Sequence, residues 1–246
     1  MTVIVFPMAG ASRRFREAGY TAPKYMLEAR GRSLFAHAVA GFAGLADRAR
    51  FLFVATNAPG TEDFVRRECA ALGLDAPAVV LLGAPTRGQA DTVALGLDRA
   101  DVADDEPVTV FNIDTFRPRF RYPTAFDPAA VDGYLEVFRG EGPNWSYVRP
   151  AAPGSDRVAE TTEKVPVSDL CCTGLYHFRA AGLFRAAFGP FAAGAAAAMG
   201  LRELYVAPMY NLLLRDGRDV RWHLIERDEV TFCGVPEEYD AFRGAP

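Results

Sequence analysis

The chain has 246 residues, half of them hydrophobic, and a formal net charge of −4. That length suits one α/β domain with decorations or two small domains, and the hydrophobic half allows a sizeable core, which excludes disorder over most of the chain. The negative balance excludes a nucleic-acid-coating surface, and no apolar run is long enough to span a bilayer, so neither nucleic acid nor membrane is an expected partner. The N-terminus enters a strand-like run without a charged leader, and the expected location is cytoplasmic.

Residues 3–6 are β-branched and aromatic and predict a buried strand. Residues 33–42 place Leu34, His37, Ala38 and Phe42 at helical spacing. A second strand is predicted at 51–55, a helix at 62–72 with Thr61 as its N-cap, and a third strand at 79–82. A helix at 89–97 and a fourth strand at 108–111 follow. Strands alternating with helices imply right-handed crossovers and a mostly parallel sheet covered on both faces. In such sheets a ligand lies beyond the carboxyl ends of the strands.

After Asp114 the rhythm changes. Residues 117–128 carry three prolines and read as an irregular connection; 133–148 and 157–162 read as antiparallel elements. A strand is expected at 170–178, a helix at 180–188, and a weakly defined Ala/Gly-rich helix at 191–200. Residues 204–214 read as a helix despite Pro208, 220–225 as a strand, and 236–242 as a short amphipathic helix. Cys69, Cys171, Cys172 and Cys233 lack zinc spacing and read as small buried thiols, the adjacent pair on opposite faces of a strand. His37, His177 and His223 are scattered singly and read as structural or surface residues.

The first strand runs into Pro7-Met8-Ala9-Gly10-Ala11-Ser12-Arg13-Arg14. Small residues there let backbone N–H groups turn toward an anion, and arginine matches phosphate oxygens. Pro23-Lys24 follows, with a stiffened backbone beside a point charge. The loop is neither a P-loop nor a dinucleotide fingerprint, and taken alone it is equally a structural turn with solvated arginines. Phe111-Asn112-Ile113-Asp114 puts a carboxylate just past a buried strand, where it is either a magnesium ligand or a turn residue.

Together these residues resemble the nucleotidylyltransferase family that activates sugar phosphates. The likeness covers nearly the whole chain in order. It includes Ala9-Gly10-Ala11-Ser12-Arg13 and Pro23-Lys24, the base-binding turn at Thr86-Arg87-Gly88-Gln89-Ala90, and the metal-binding Asp114. It continues through Glu163-Lys164, Thr173-Gly174-Leu175-Tyr176, Glu203 and the closing turn Gly234-Val235-Pro236-Glu237-Glu238-Tyr239. Gly19-Tyr20, Asn144-Trp145-Ser146, Ser168-Asp169-Leu170-Cys171-Cys172 and Tyr205-Val206-Ala207-Pro208 resemble a capsule-biosynthesis branch. That branch includes cytidylyltransferases, one kind of which acts on phosphoglutamine. The sequence departs from the sugar branch in having Ala-Gly for paired glycines, and Phe232-Cys233 where many relatives place a second metal-binding Asp.

The resemblance implies an α/β, Rossmann-like, GT-A type fold: a mostly parallel mixed sheet flanked by helices, with antiparallel additions in the second half. It implies a single domain over 1–246, with 1–116 binding NTP and 117–246 the acceptor. Arg13, Lys24 and Asp114 would be catalytic; Met8, Ala9, Gly10, Ala11, Ser12, Arg13, Gly88 and Gln89 would bind nucleotide. Glu163, Lys164, Gly174, Tyr176 and Glu203 would face a phosphorylated small-molecule acceptor. Mg²⁺ would be the cofactor, on Asp114, with Asp169 a candidate substitute ligand and Cys233 too soft for the role. The base leans to a pyrimidine, with CTP favoured through the capsule branch, and a homo-oligomer is compatible with the sequence. Two rival readings are a GT-A glycosyltransferase, which would want a carboxylate at Asn112, and a non-catalytic nucleotide-binding regulator, which Cys233 alone favours.

Overall fold

The computed structural model describes residues 1–244. Its strands are β1 (Thr2–Met8), β2 (Glu28–Ala29), β3 (Arg32–Ser33), β4 (Ala49–Thr56), β5 (Ala78–Leu82), β6 (Val108–Phe111) and β7 (Thr115–Phe116). They continue as β8 (Gly133–Arg139), β9 (Ser146–Pro150), β10 (Val158–Glu163), β11 (Leu170–Phe178), β12 (Val220–Leu224) and β13 (Thr231–Phe232). The helices are α1 (Arg13–Glu17), α2 (Leu34–Ala40), α3 (Thr61–Ala71), α4 (Gln89–Arg99), α5 (Ala181–Pro190), α6 (Ala196–Ala198), α7 (Tyr210–Arg215) and α8 (Pro236–Gly244).

Nine strands form one mixed sheet in the order β10-β9-β11-β6-β1-β4-β5, with β8 beside β11 and β12 beside β8. The pairs β1–β4, β4–β5 and β1–β6 are parallel, whereas β11 runs antiparallel to both β6 and β8. This is the expected fold class. Strands β1 and β6 are buried almost throughout because both faces of the sheet are covered. One face packs Phe6 against Phe53, Phe42 and Phe111, each aromatic side chain stabilising the core by about 2 kcal/mol through burial. Among the described residues no helix is long and apolar enough to cross a membrane.

Three expectations are corrected. Thr61 is the first, fully buried residue of α3; the cap position belongs to Gly60, whose left-handed φ of 77° suits glycine. The helix expected at 204–214 begins only with a 3₁₀ turn at Ala207–Met209 and α7, so its first residues lie in irregular chain. Residues 191–200 split into a π-helical stretch, Phe191–Ala195, and the single turn α6, because Gly194 breaks the helical dihedrals.

Candidate active site

Strand β1 neighbours β4 on one side and β6 on the other, so the chain reverses its direction of travel across the sheet at the β1–β6 junction. The crevice of an open α/β sheet lies at such a junction, beyond the carboxyl ends. Two loops meet there, residues 9–12 after β1 and residues 112–114 after β6.

Met8 and Ala9 are buried at the root of the first loop, while Gly10 and Ala11 are exposed. Nothing lies within 4 Å of where a Gly10 Cβ would stand, so the backbone is open to a ligand. Ser12 takes a left-handed φ of 48°, uncommon outside glycine and a form of strain that gathers at binding sites. It turns the chain into α1, whose buried Phe15 anchors a helix that exposes Arg13 and Arg14. The Arg13 side chain is 85% exposed and only 3.8 Å from Glu17, too loose a pair to compete with a phosphate.

Lys24 and Asp114 come together: Nζ donates to Oδ2 at 2.5 Å, with both side chains largely sheltered. Asp114 is held from behind by β13, where the Cys233 N–H donates to the Asp114 carbonyl at 2.8 Å. Cys233 turns into the core and burial pushes its thiol up to about 12, so it is unsuited to a hard cation. A Cβ on Gly234 would stand 3.3 Å from Asp114 Oδ2 and 3.6 Å from Glu238 Oε2. Glycine therefore keeps a space between two carboxylates; Glu238, read in the sequence only as part of the closing turn, accepts there from the Gly234 and Val235 N–H groups at 2.8 and 3.3 Å. Among the described residues no three His, Cys, Asp or Glu side chains converge. Asp114 is thus the carboxylate best placed for magnesium, whose shell would need phosphate oxygens and water. Asp169 pairs with Arg139 instead and is over half exposed, which removes the reason to treat it as a substitute ligand.

Gly88 precedes α4 with φ 143°, and a Cβ there would lie 2.6 Å from the Leu204 nitrogen. The reason for glycine is thus the backbone of 204, not only a flat ring. The Gln89 amide is also engaged: Nε2 donates to Asn112 Oδ1, and Oε1 accepts from the Val206 N–H at 3.3 Å. Asn112 in turn donates its N–H to the Gly174 carbonyl at 3.2 Å. Gly174, with φ 97°, forms the irregular step in β11, where a side chain would overlap Asn112. These residues therefore form one connected floor.

On the other wall, Glu163 ends β10 and accepts from Ser146 Oγ. Burial raises its carboxyl above the usual range, opposed by Ser146 and Lys164. Lys164 has a left-handed φ of 58°; its Nζ lies 3.5 Å from Glu163 and donates to the Tyr205 hydroxyl at 2.9 Å. Burial pulls this ammonium down, but Tyr205 and Glu163 outweigh it and raise it overall. Glu203 is exposed near Glu163 and adds negative charge there. Tyr176, which the resemblance sets toward the acceptor, is 4% exposed, within the core, because β11 is buried along its whole length. The rings of Trp145 and Phe232, 4.6 Å apart, link the Ser146 side to the strand that backs Asp114; both segments stood out in the sequence, but their contact did not.

Another signal was available in plain composition. Of 27 basic residues 25 are arginine, and the two lysines are Lys24 and Lys164. A compact ammonium is retained only at these two positions.

No protein-family model and no curated protein matches the chain. Among solved structures, the nucleoside-diphosphate-sugar pyrophosphorylase from Vibrio cholerae RC9 is 47% identical over 98% of this chain and 100% of its own, with a TM-score of 0.92. The inositol-1-phosphate CTP transferase from T. maritima is 16% identical over 97% of this chain and 91% of its own, TM-score 0.76. The UTP-bound UGPase from Acinetobacter baumannii is 14% identical over 98% and 91%, TM-score 0.69. The last two show a shared fold.

Proposed function

The chain belongs to the nucleotidylyltransferase family, and on that premise we propose that it transfers a nucleotidyl group, with CTP the favoured donor, to a phosphorylated small-molecule acceptor and releases pyrophosphate. The observation that carries this reading is the pairing of each lysine with a carboxylate, Lys24 with Asp114 and Lys164 with Glu163. Nucleotidyl transfer brings two anions together, so positioned cations address its main obstacle.

An acceptor phosphate oxygen attacks the α-phosphorus and its lone pair forms the new P–O bond. The bond between the α-phosphorus and the bridging oxygen breaks, and its electrons leave with pyrophosphate. Arg13 and Arg14 hold the departing β- and γ-phosphates. Lys24 exchanges Asp114 for the α-phosphate, and Lys164 holds the acceptor phosphate. Glu163 and Glu203 accept from hydroxyl or amine groups of the acceptor. No general base is required, because a phosphate monoester is already ionised near neutral pH. Magnesium held by Asp114 would supply charge neutralisation at the phosphates.

The acceptor in this reading is a sugar phosphate or a phosphoglutamine-like compound, and the product serves capsule or surface polysaccharide assembly. The V. cholerae protein's description supports the sugar and the T. maritima protein's supports CTP; the capsule-branch wording around Trp145 supports the destination. A screen of four NTPs against sugar phosphates and phosphorylated amino-acid amides, reading pyrophosphate, tests it. Release that needs both substrates and is fastest with CTP is expected. No release with any pair, or equal release without acceptor, would overturn the proposal.

A further inference from the structure

The segment 203–207 crosses from the nucleotide side to the acceptor side as a short irregular strap. On the nucleotide side it is bolted across Gly88: the Leu204 N–H donates to the Arg87 carbonyl at 2.9 Å, and the Leu204 carbonyl accepts from the Ala90 N–H at 2.8 Å. The Val206 N–H adds the bond to Gln89 Oε1. On the acceptor side the Ala207 carbonyl accepts from Thr161 Oγ1 at 2.7 Å, two residues before Glu163. Tyr205 lies between these anchors. Its hydroxyl accepts from Lys164, whose ammonium also lies 4.8 Å from the ring centroid. Lys164 needs such a partner, because its left-handed backbone aims a long, flexible side chain that is otherwise half exposed.

We propose that Tyr205 is a positioning residue that holds the Lys164 ammonium toward the acceptor phosphate, and that the strap ties this placement to the Gly88 turn. The proposal rests on the reading of Lys164 as an acceptor-side cation. It gives the Gly88 turn a second duty: the same glycine that admits the Leu204 backbone sets where Tyr205, the next residue, presents its hydroxyl. A hydroxyl that accepts from Lys164 keeps its own proton to donate to the same phosphate.

Because the chain holds only Lys24 and Lys164, the full-length protein labelled with ¹³C-lysine gives two side-chain Cε signals, one for each wall of the crevice. Inorganic phosphate, titrated against both, is the probe. Tyr205→Phe keeps the ring and removes the acceptor oxygen. It is expected to weaken the phosphate affinity reported by Lys164 about 3- to 10-fold and to leave that reported by Lys24 unchanged. Gly88→Ala, which displaces the strap, is expected to move the Lys164 signal in the same direction as Tyr205→Phe. Unchanged phosphate affinity at Lys164 in folded Tyr205→Phe overturns the positioning role, and an unmoved Lys164 signal in folded Gly88→Ala overturns the tie to the turn. A wild-type Lys164 signal that phosphate never shifts overturns instead the acceptor role of Lys164 on which the proposal rests.

Discussion

Lys24 Nζ lies 2.5 Å from Asp114 Oδ2, so the candidate α-phosphate cation and the candidate metal ligand neutralise each other before substrate arrives. Lys24→Ala is expected to lower turnover about 100-fold or more, the loss of one electrostatic donor in the transition state. The same variant frees the Asp114 carboxylate and is expected to bind Mn²⁺ more tightly than wild type in the absence of nucleotide. Steady-state kinetics and metal titration check the two halves; equal turnover, or weaker metal binding in the variant, would count against the pair.

Cys233 and Asp114 are joined through the backbone, yet only one faces the crevice. Cys233→Ser is expected to leave nucleotide-dependent Mg²⁺ affinity within about twofold of wild type, because a buried soft thiol contributes nothing to a hard ion. Magnesium titration in the presence of CTP reads this directly.

Arg117 lies three residues beyond Asp114 and is 2% exposed, its fork bonded to Glu136 at 2.9 and 3.1 Å. Its third nitrogen reaches the Glu229 carbonyl, which leads into β13 behind Asp114. Arg117→Ala strands the Glu136 carboxylate in the core and is expected to cost about 3–5 kcal/mol. Arg117→Met with Glu136→Leu is expected to recover much of that. Urea unfolding curves compare them, and a double variant no more stable than the single would contradict the argument.

His177 is buried against Thr109 and the Tyr134 ring, and burial lowers its imidazole to about 4. Unfolded, the ring takes a proton near 6.5. The unfolded state therefore binds more protons between those values, and stability falls as pH drops through the window, by about 3 kcal/mol in full. His177→Gln is expected to flatten that part of the curve. Unfolding free energies at pH 7 and pH 4.5 for both proteins test it; equal slopes would exclude His177 as the source.

Much of the fold was legible because its strands are buried on both faces: β6 and β11 match their predicted bounds at every residue. Pattern failed where one apolar spacing has two causes. Leu204 and Val206 are buried because the strap is clamped to Gly88 and Gln89, not because the chain is helical there. The site's charged residues were legible by type and order, but their pairings were not. Lys24–Asp114 and Lys164–Tyr205 join positions 90 and 41 residues apart through tertiary packing. Tyr176 shows the reverse case: the family resemblance set it facing the acceptor, and burial along β11 leaves it 4% exposed.

The most direct test is pyrophosphate release from CTP by wild type and Asp114→Asn, each with the best acceptor of the phosphorylated panel and with Mg²⁺ present or removed by chelation. The account predicts acceptor-dependent release by wild type that disappears on chelation, and a fall of about 100-fold or more in Asp114→Asn at any Mg²⁺ concentration. Full magnesium-dependent release by Asp114→Asn would contradict it.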